Sequence, residues 1–78
     1  MTHYTVSTTD VDGSTRRRYK TLDRARARFE AMAGHTIEQA IAEQFHASDP
    51  KPHVGAVVYL RAVSMYGTVV TMTTAEAA

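Results

Sequence analysis

Apolar and polar positions change their spacing repeatedly along the chain, and each change predicts an element. From Thr2 to Thr9 they alternate, with Tyr4 and Val6 set against His3, Thr5 and Ser7, the period of a strand with one half-buried face. Asp12-Gly13 then predicts a two-residue hairpin turn, since Asp and Gly accept the positive φ such turns need. A turn there sets Val6 opposite Tyr19, Thr8 opposite Arg17 and Tyr4 opposite Thr21, which puts Tyr4, Val6 and Tyr19 on one core side. The other side carries Thr5, Ser7 and Thr9 beside Lys20, Arg18 and Arg16.

The period then lengthens. Thr21 is positioned to cap a helix, with Asp23 in its first turn set against the helix dipole. Leu22, Ala25, Phe29, Met32 and Ala33 follow a helical stripe. The Arg-Ala alternation from Arg24 to Arg28 imitates a strand, but Ala favours helix over strand. On a helix, Arg24 and Arg28 share one flank while Arg26 lies on the other beside Glu30. Gly34 marks the stop. Thr36 and Gln39 form a capping box for a second helix with Ile37, Ala40, Ile41 and Phe45 inward. With so few residues between them, the helices are expected as a tight pair or one kinked helix. Pro50 and Pro52 make Ser48 to Pro52 a loop.

Val54 to Ser64 carries the strongest strand signal. Val54, Ala56, Val58, Leu60 and Ala62 would line one face, and Val57, Tyr59, Arg61 and Val63 the other. A three-residue loop, Met65-Tyr66-Gly67, pairs Ser64 with Thr68, Ala62 with Val70 and Leu60 with Met72 without mixing faces. Ala75 to Ala78 reads as a frayed tail. The expected fold is α+β in the order ββααββ: a four-stranded antiparallel sheet with two helices packed on one face, in a single domain spanning residues 1–78.

Composition narrows what that domain does. The 44% hydrophobic content includes 12 Ala, so the core is modest, and dimerisation or docking on a larger partner would supplement it. No Cys is available for a disulfide or a thiolate metal site. Met1 to Tyr4 lacks the basic and apolar regions of a signal peptide, and no apolar run approaches membrane-spanning length. The expectation is a soluble cytoplasmic protein with no membrane partner.

Charge is the one strongly uneven property. Seven of the nine Lys and Arg residues fall between Arg16 and Arg28, opposed there only by Asp23, for a local charge of +6 in a chain of net +1. Such a cluster suits an anionic partner. The candidate binding residues are Arg16, Arg18, Lys20, Arg24 and Arg28, with Tyr59 and Arg61 extending the same face to mix aromatic and guanidinium groups. A solvated face is the plain alternative, because strand edges and helix flanks often carry Arg and Arg26 has Glu30 to pair with.

No catalytic constellation accompanies it, so no enzyme is expected. There is no helical His pair at metal spacing, no Gly-x-Ser-x-Gly and no glycine-rich phosphate loop. His46, Asp49 and His53 border the proline loop without a metal-site pattern. His35 is expected to bond helix-end carbonyls, Asp10 and Asp12 to serve the turn, and Ser64 to have no base. Neither cofactor nor metal is expected.

The free-standing small chain, its opening strand Tyr4 to Thr9, and Arg18-Tyr19-Lys20-Thr21-Leu22 leading into an Ala/Arg helix ending Phe29 to Gly34 resemble the small anti-CRISPR proteins of phages and prophages. The resemblance covers the whole chain in organisation rather than in a motif. It implies a non-enzymatic inhibitor that binds a bacterial CRISPR–Cas complex, of type I, and blocks target DNA recognition. Many such inhibitors are acidic mimics of DNA; this chain is slightly basic, so an acidic Cas surface, or a site near guide RNA, is the implied target. Two further readings compete: a nucleic-acid-binding module contacting phosphates through the same arginines, and a homodimer burying Val57, Tyr59 and Val63.

Overall fold

The computed structural model describes residues 2–76. Asp10 begins the first turn: its Oδ1 accepts the Asp12 N–H at 2.8 Å, so Val11 and Asp12 form the loop. Strands β1 (Thr2–Asp10) and β2 (Gly13–Tyr19) flank it. Gly13 opens β2 at φ 133°, a conformation costly for any residue with a Cβ. The turn thus lies one residue earlier than expected and the register moves by two. Tyr4 faces Tyr19 and Val6 faces Arg17, rather than Thr21 and Tyr19. The side-chain period of a strand is two, so the side chains within β1 and β2 keep their expected faces.

Helix α1 (Leu22–Ala33) has Thr21 as its cap, accepting the Arg24 N–H, and stops at Gly34 with φ 79°. Both halves of the capping box are made before α2 (Ile37–Gln44): Thr36 Oγ1 accepts the Gln39 N–H at 3.2 Å, and Gln39 Oε1 accepts the Thr36 N–H at 2.8 Å. Glu30 Oε2 also accepts the Ile37 N–H at 2.8 Å, which ties the end of α1 to the start of α2. These are two separate helices with a fixed corner, not one kinked helix.

Strand β3 spans only Tyr59–Val63 and β4 spans Val69–Glu76. The second hairpin has the expected three-residue loop and pairing, with Ala62 facing Val70, Leu60 facing Met72, and Gly67 at φ 85°. Ser64 Oγ accepts the Tyr66 and Thr68 N–H groups, which fixes the turn. Upstream the expectation fails. Val54–Ala56 forms a 3-10 turn, and the alternation breaks where Val57 is 4% exposed and Val58 is 67% exposed. Val57 enters the core because the chain leaves the sheet there and turns toward α2, against which the 3-10 turn packs. Ala75 and Glu76, expected in a frayed tail, pair with His3 and Thr2. Ala77 and Ala78 lie outside the described residues.

The sheet is antiparallel in the order β2-β1-β4-β3, an α+β fold of ββααββ order. Helix α1 packs on β1, β4 and, less, β2, while α2 packs on β3, so both helices cover one face. Val6, Leu60, Ala62, Val70 and Met72 of that face meet Ala25, Phe29, Ala33, Ile37, Ala40 and Ile41. The Cα extents of 34 × 33 × 17 Å are those of two layers. The second face of the sheet has no helix over it.

Candidate anion-binding surface

The register defines that uncovered face residue by residue. One row across the strands reads Arg18, Thr5, Thr73, Tyr59, and the next reads Arg16, Ser7, Thr71, Arg61. Short hydroxyl side chains run down the middle strands and cations stand on both edge strands. No described residue of this face is acidic. The edge strands are separated by three strand spacings, roughly 14 Å. Tyr59 and Arg61 therefore share a face with Arg16 and Arg18, as expected, but across the width of the sheet.

The structure gathers five of the seven candidate residues into two groups. Arg18, Lys20 and Arg24 line one cavity of about 350 Å³ with Tyr19 and Thr21, and no carboxylate lines it. It lies where β2 ends and α1 begins. Lys20 is past the end of β2, so it lies at this corner rather than on the sheet face. Tyr59 and Arg61 line a second cavity of about 330 Å³ with Gln44, Ala62, Val63 and Glu43. The carboxylate there makes it the poorer place for an anion. Arg16 lies along the face, and Arg28, one turn beyond Arg24 on α1, lines neither cavity.

Pairing separates the cations further. Among the described residues, ion pairs involve only Arg26, whose Nε lies 3.3 Å from Glu30 Oε2 and whose Nη2 bonds Glu38 Oε1. The hydrogen bond to Glu38 holds the Arg26 guanidinium above its ordinary range. Glu38 is held below the usual carboxylate range, first by its own backbone N–H and then by Arg26. Arg26 is thus structural, clamping α1 to α2. Arg16, Arg17, Arg18, Lys20, Arg24 and Arg28 have no such partner. Arg17 lies on the helix side of β2, yet it is exposed, because the helices cover little of this edge strand.

Sequence reasoning missed Gln44. Its Nε2–H donates to Tyr59 O at 2.8 Å and its Oε1 accepts the Arg61 N–H at 2.7 Å, so one side-chain amide satisfies the open edge of β3 as a neighbouring strand would. A Gln near a helix end reads as solvent-facing, and nothing in the chain order marks this role. The proposed dimer face is also altered: Val57 belongs to the core, leaving Tyr59 and Val63 exposed on β3.

His35 makes no bond to helix-end carbonyls; its Nε2 is buried without a partner, as is His3 Nδ1. The α1 carbonyl of Glu30 is taken by the Gly34 N–H at 3.0 Å, whereas His46 Nδ1 lies 3.2 Å from Glu43 O. Among the described residues no three His, Cys, Asp or Glu side chains gather as a metal site, and no helix is long and apolar enough to cross a membrane. No protein-family model, curated protein or solved structure matches the chain.

Proposed function

We propose that this chain is a non-enzymatic binding protein that recognises an acidic macromolecular surface through the corner of β2 and α1 and the adjoining sheet face. The observation that supports the reading is the set of cations without carboxylate partners, three of them around one acid-free cavity. Like charges held together lower stability unless a partner neutralises them, whereas Arg26 shows how this chain pairs an Arg whose job is structural. On the resemblance to the small anti-CRISPR proteins, the partner is an acidic subunit surface of a type I CRISPR–Cas complex in the host cytoplasm, and occupying it blocks target DNA recognition.

The test is native electrophoresis of the chain with purified type I surveillance complexes, using Arg18→Glu against Lys51→Glu. Both substitutions change charge equally, but Lys51 lies in the proline loop and does not line the cavity. A complex with the wild type and Lys51→Glu that Arg18→Glu loses supports the reading; equal loss, or no complex at all, removes it. A second reading, single-stranded nucleic acid, is favoured by Tyr59, 49% exposed in line with Arg18 across the hydroxyl rows. It predicts a gel shift with oligonucleotides that weakens steeply with salt.

A further inference from the structure

The two edges of the sheet are treated differently. The backbone bonds from Ser64 N–H to Thr68 O and from Thr74 N–H to Val58 O direct the even-numbered groups of β4 toward β3. Antiparallel alternation then directs odd-numbered groups of β4 and β1 toward each other, and even-numbered groups of β1 toward β2. Even β1 residues face odd β2 residues, as in Val6 with Arg17 and Thr8 with Thr15. The N–H and C=O groups of Ser14, Arg16 and Arg18 therefore point outward from the sheet. At the far edge the corresponding Tyr59 O and Arg61 N–H are occupied by Gln44. No described side chain does this for β2.

We infer that the edge of β2 accepts an extended acidic segment of a partner protein as a fifth strand. This deepens the proposed function and rests on its protein-binding reading. Main-chain bonds to Ser14, Arg16 and Arg18 would supply the pairing, and alternate side chains of the added strand would lie beside Arg16 and Arg18 on the open face and beside Thr15 and Arg17 on the other. The seven residues of β2, six of them exposed, offer roughly 23 Å of edge. Charge selects the occupant. A second copy of the chain would bring Arg16, Arg17 and Arg18 against themselves, the device by which edge strands avoid self-pairing. An acidic strand meets the opposite field. Its end would reach the cavity of Arg18, Lys20 and Arg24, which suits a further carboxylate.

The test uses the full chain, isotopically labelled, with a nonapeptide alternating glutamate and valine. Two N-methylated forms, blocked at odd or at even amides, and a block-sequence peptide of the same composition serve as controls. The expected result is slowed hydrogen exchange at the Ser14, Arg16 and Arg18 amides, a loss of affinity of at least tenfold in one N-methylated form, and tenfold weaker binding of the block peptide. Ser14→Pro removes an outward donor without changing charge, at an edge position where Pro is tolerated, and is expected to weaken the alternating peptide tenfold. Its far-ultraviolet dichroism reports whether the fold survives; if it does not, the N-methylated pair decides alone. Equal binding of both N-methylated forms, protection elsewhere, the same protection without peptide from self-association, or binding of an oligonucleotide but not the peptide would each overturn the inference. A surveillance complex that binds wild type and folded Ser14→Pro equally defeats the edge while sparing the proposed function. Peptide binding without any complex does the reverse.

Discussion

Gln44→Ala removes the amide that closes the β3 edge, and its cost follows from the geometry. Two hydrogen bonds are lost, at 2.8 Å to Tyr59 O and 2.7 Å from Arg61 N–H. A protein hydrogen bond contributes about 0.5–1.5 kcal/mol net, and the low half applies because Gln44, Tyr59 and Arg61 are all exposed. The pair is then worth about 1–2 kcal/mol. Ala is the better helix former by a few tenths of a kcal/mol, which brings the net loss to about 1 kcal/mol. For a domain of this size that corresponds to a fall in Tm of roughly 4–8 °C. Gln44→Met keeps the length and apolar stem but neither bond, so it is expected to lose nearly as much. Thermal unfolding followed by circular dichroism measures both. Opening the edge also exposes backbone groups for pairing, so light scattering is expected to show mass rising with concentration in Gln44→Ala and not in wild type. An unchanged Tm in both variants would refute the view that this amide acts as a surrogate strand.

Phe29 is fully buried between α1 and the sheet, so Phe29→Ala is expected to cost about 3–5 kcal/mol, enough to leave much of so small a domain unfolded in urea titration. Gly67→Ala meets no atom within 4 Å but places a Cβ at φ 85°, so it is expected to lose about 1 kcal/mol from conformation alone, read as a lower urea midpoint with unchanged slope. Glu38 has a folded pKa below its unfolded value, so its contribution is present above the unfolded pKa and fades as pH falls through the folded one. Glu38→Gln is therefore expected to destabilise at neutral pH and to converge on wild type in strong acid, as seen by denaturation at a series of pH values; a constant difference would refute the clamp.

The two hairpins show which kind of information a sequence carries. Met65-Tyr66-Gly67 was legible because only its last residue takes a positive φ, and one placement of that glycine keeps Leu60 and Ala62 inward opposite Met72 and Val70. At the first hairpin two signals compete. Asp12-Gly13 has the composition of a turn centre, but the Asp10 carboxylate reaches the Asp12 N–H and starts the turn earlier. Pairing slipped by two residues as a result, yet Arg16 and Arg18 remained on the open face because face follows parity. Val54 to Val58 misled for a different reason: β-branched residues record burial on a flat surface, not the course of the backbone, and the extended residue just after a 3-10 turn, Val57, is buried as well as a strand residue would be.

What no linear reading supplies is the angle at which β2 hands over to α1. The sequence splits the basic stretch into a strand half and a helix half, so that a partner either wraps their junction or uses only one half. Folding brings one residue of β2, one of the connection and one of α1 around a single cavity, Arg18, Lys20 and Arg24, while Arg26, two positions along the same helix, turns to Glu30 and Glu38. The helical period of 3.6 makes that division: Arg24 and Arg26 lie on opposite flanks, one toward α2 and its acids, the other toward the strand that has none. The chain places Glu30 and Glu38 where it needs a clamp, while Asp23 at the start of α1 stays out of the lining of the cavity between β2 and α1. The proposed acidic partner rests on that cavity of unpaired cations, and the proposed added strand on the unclosed backbone of β2 beside it.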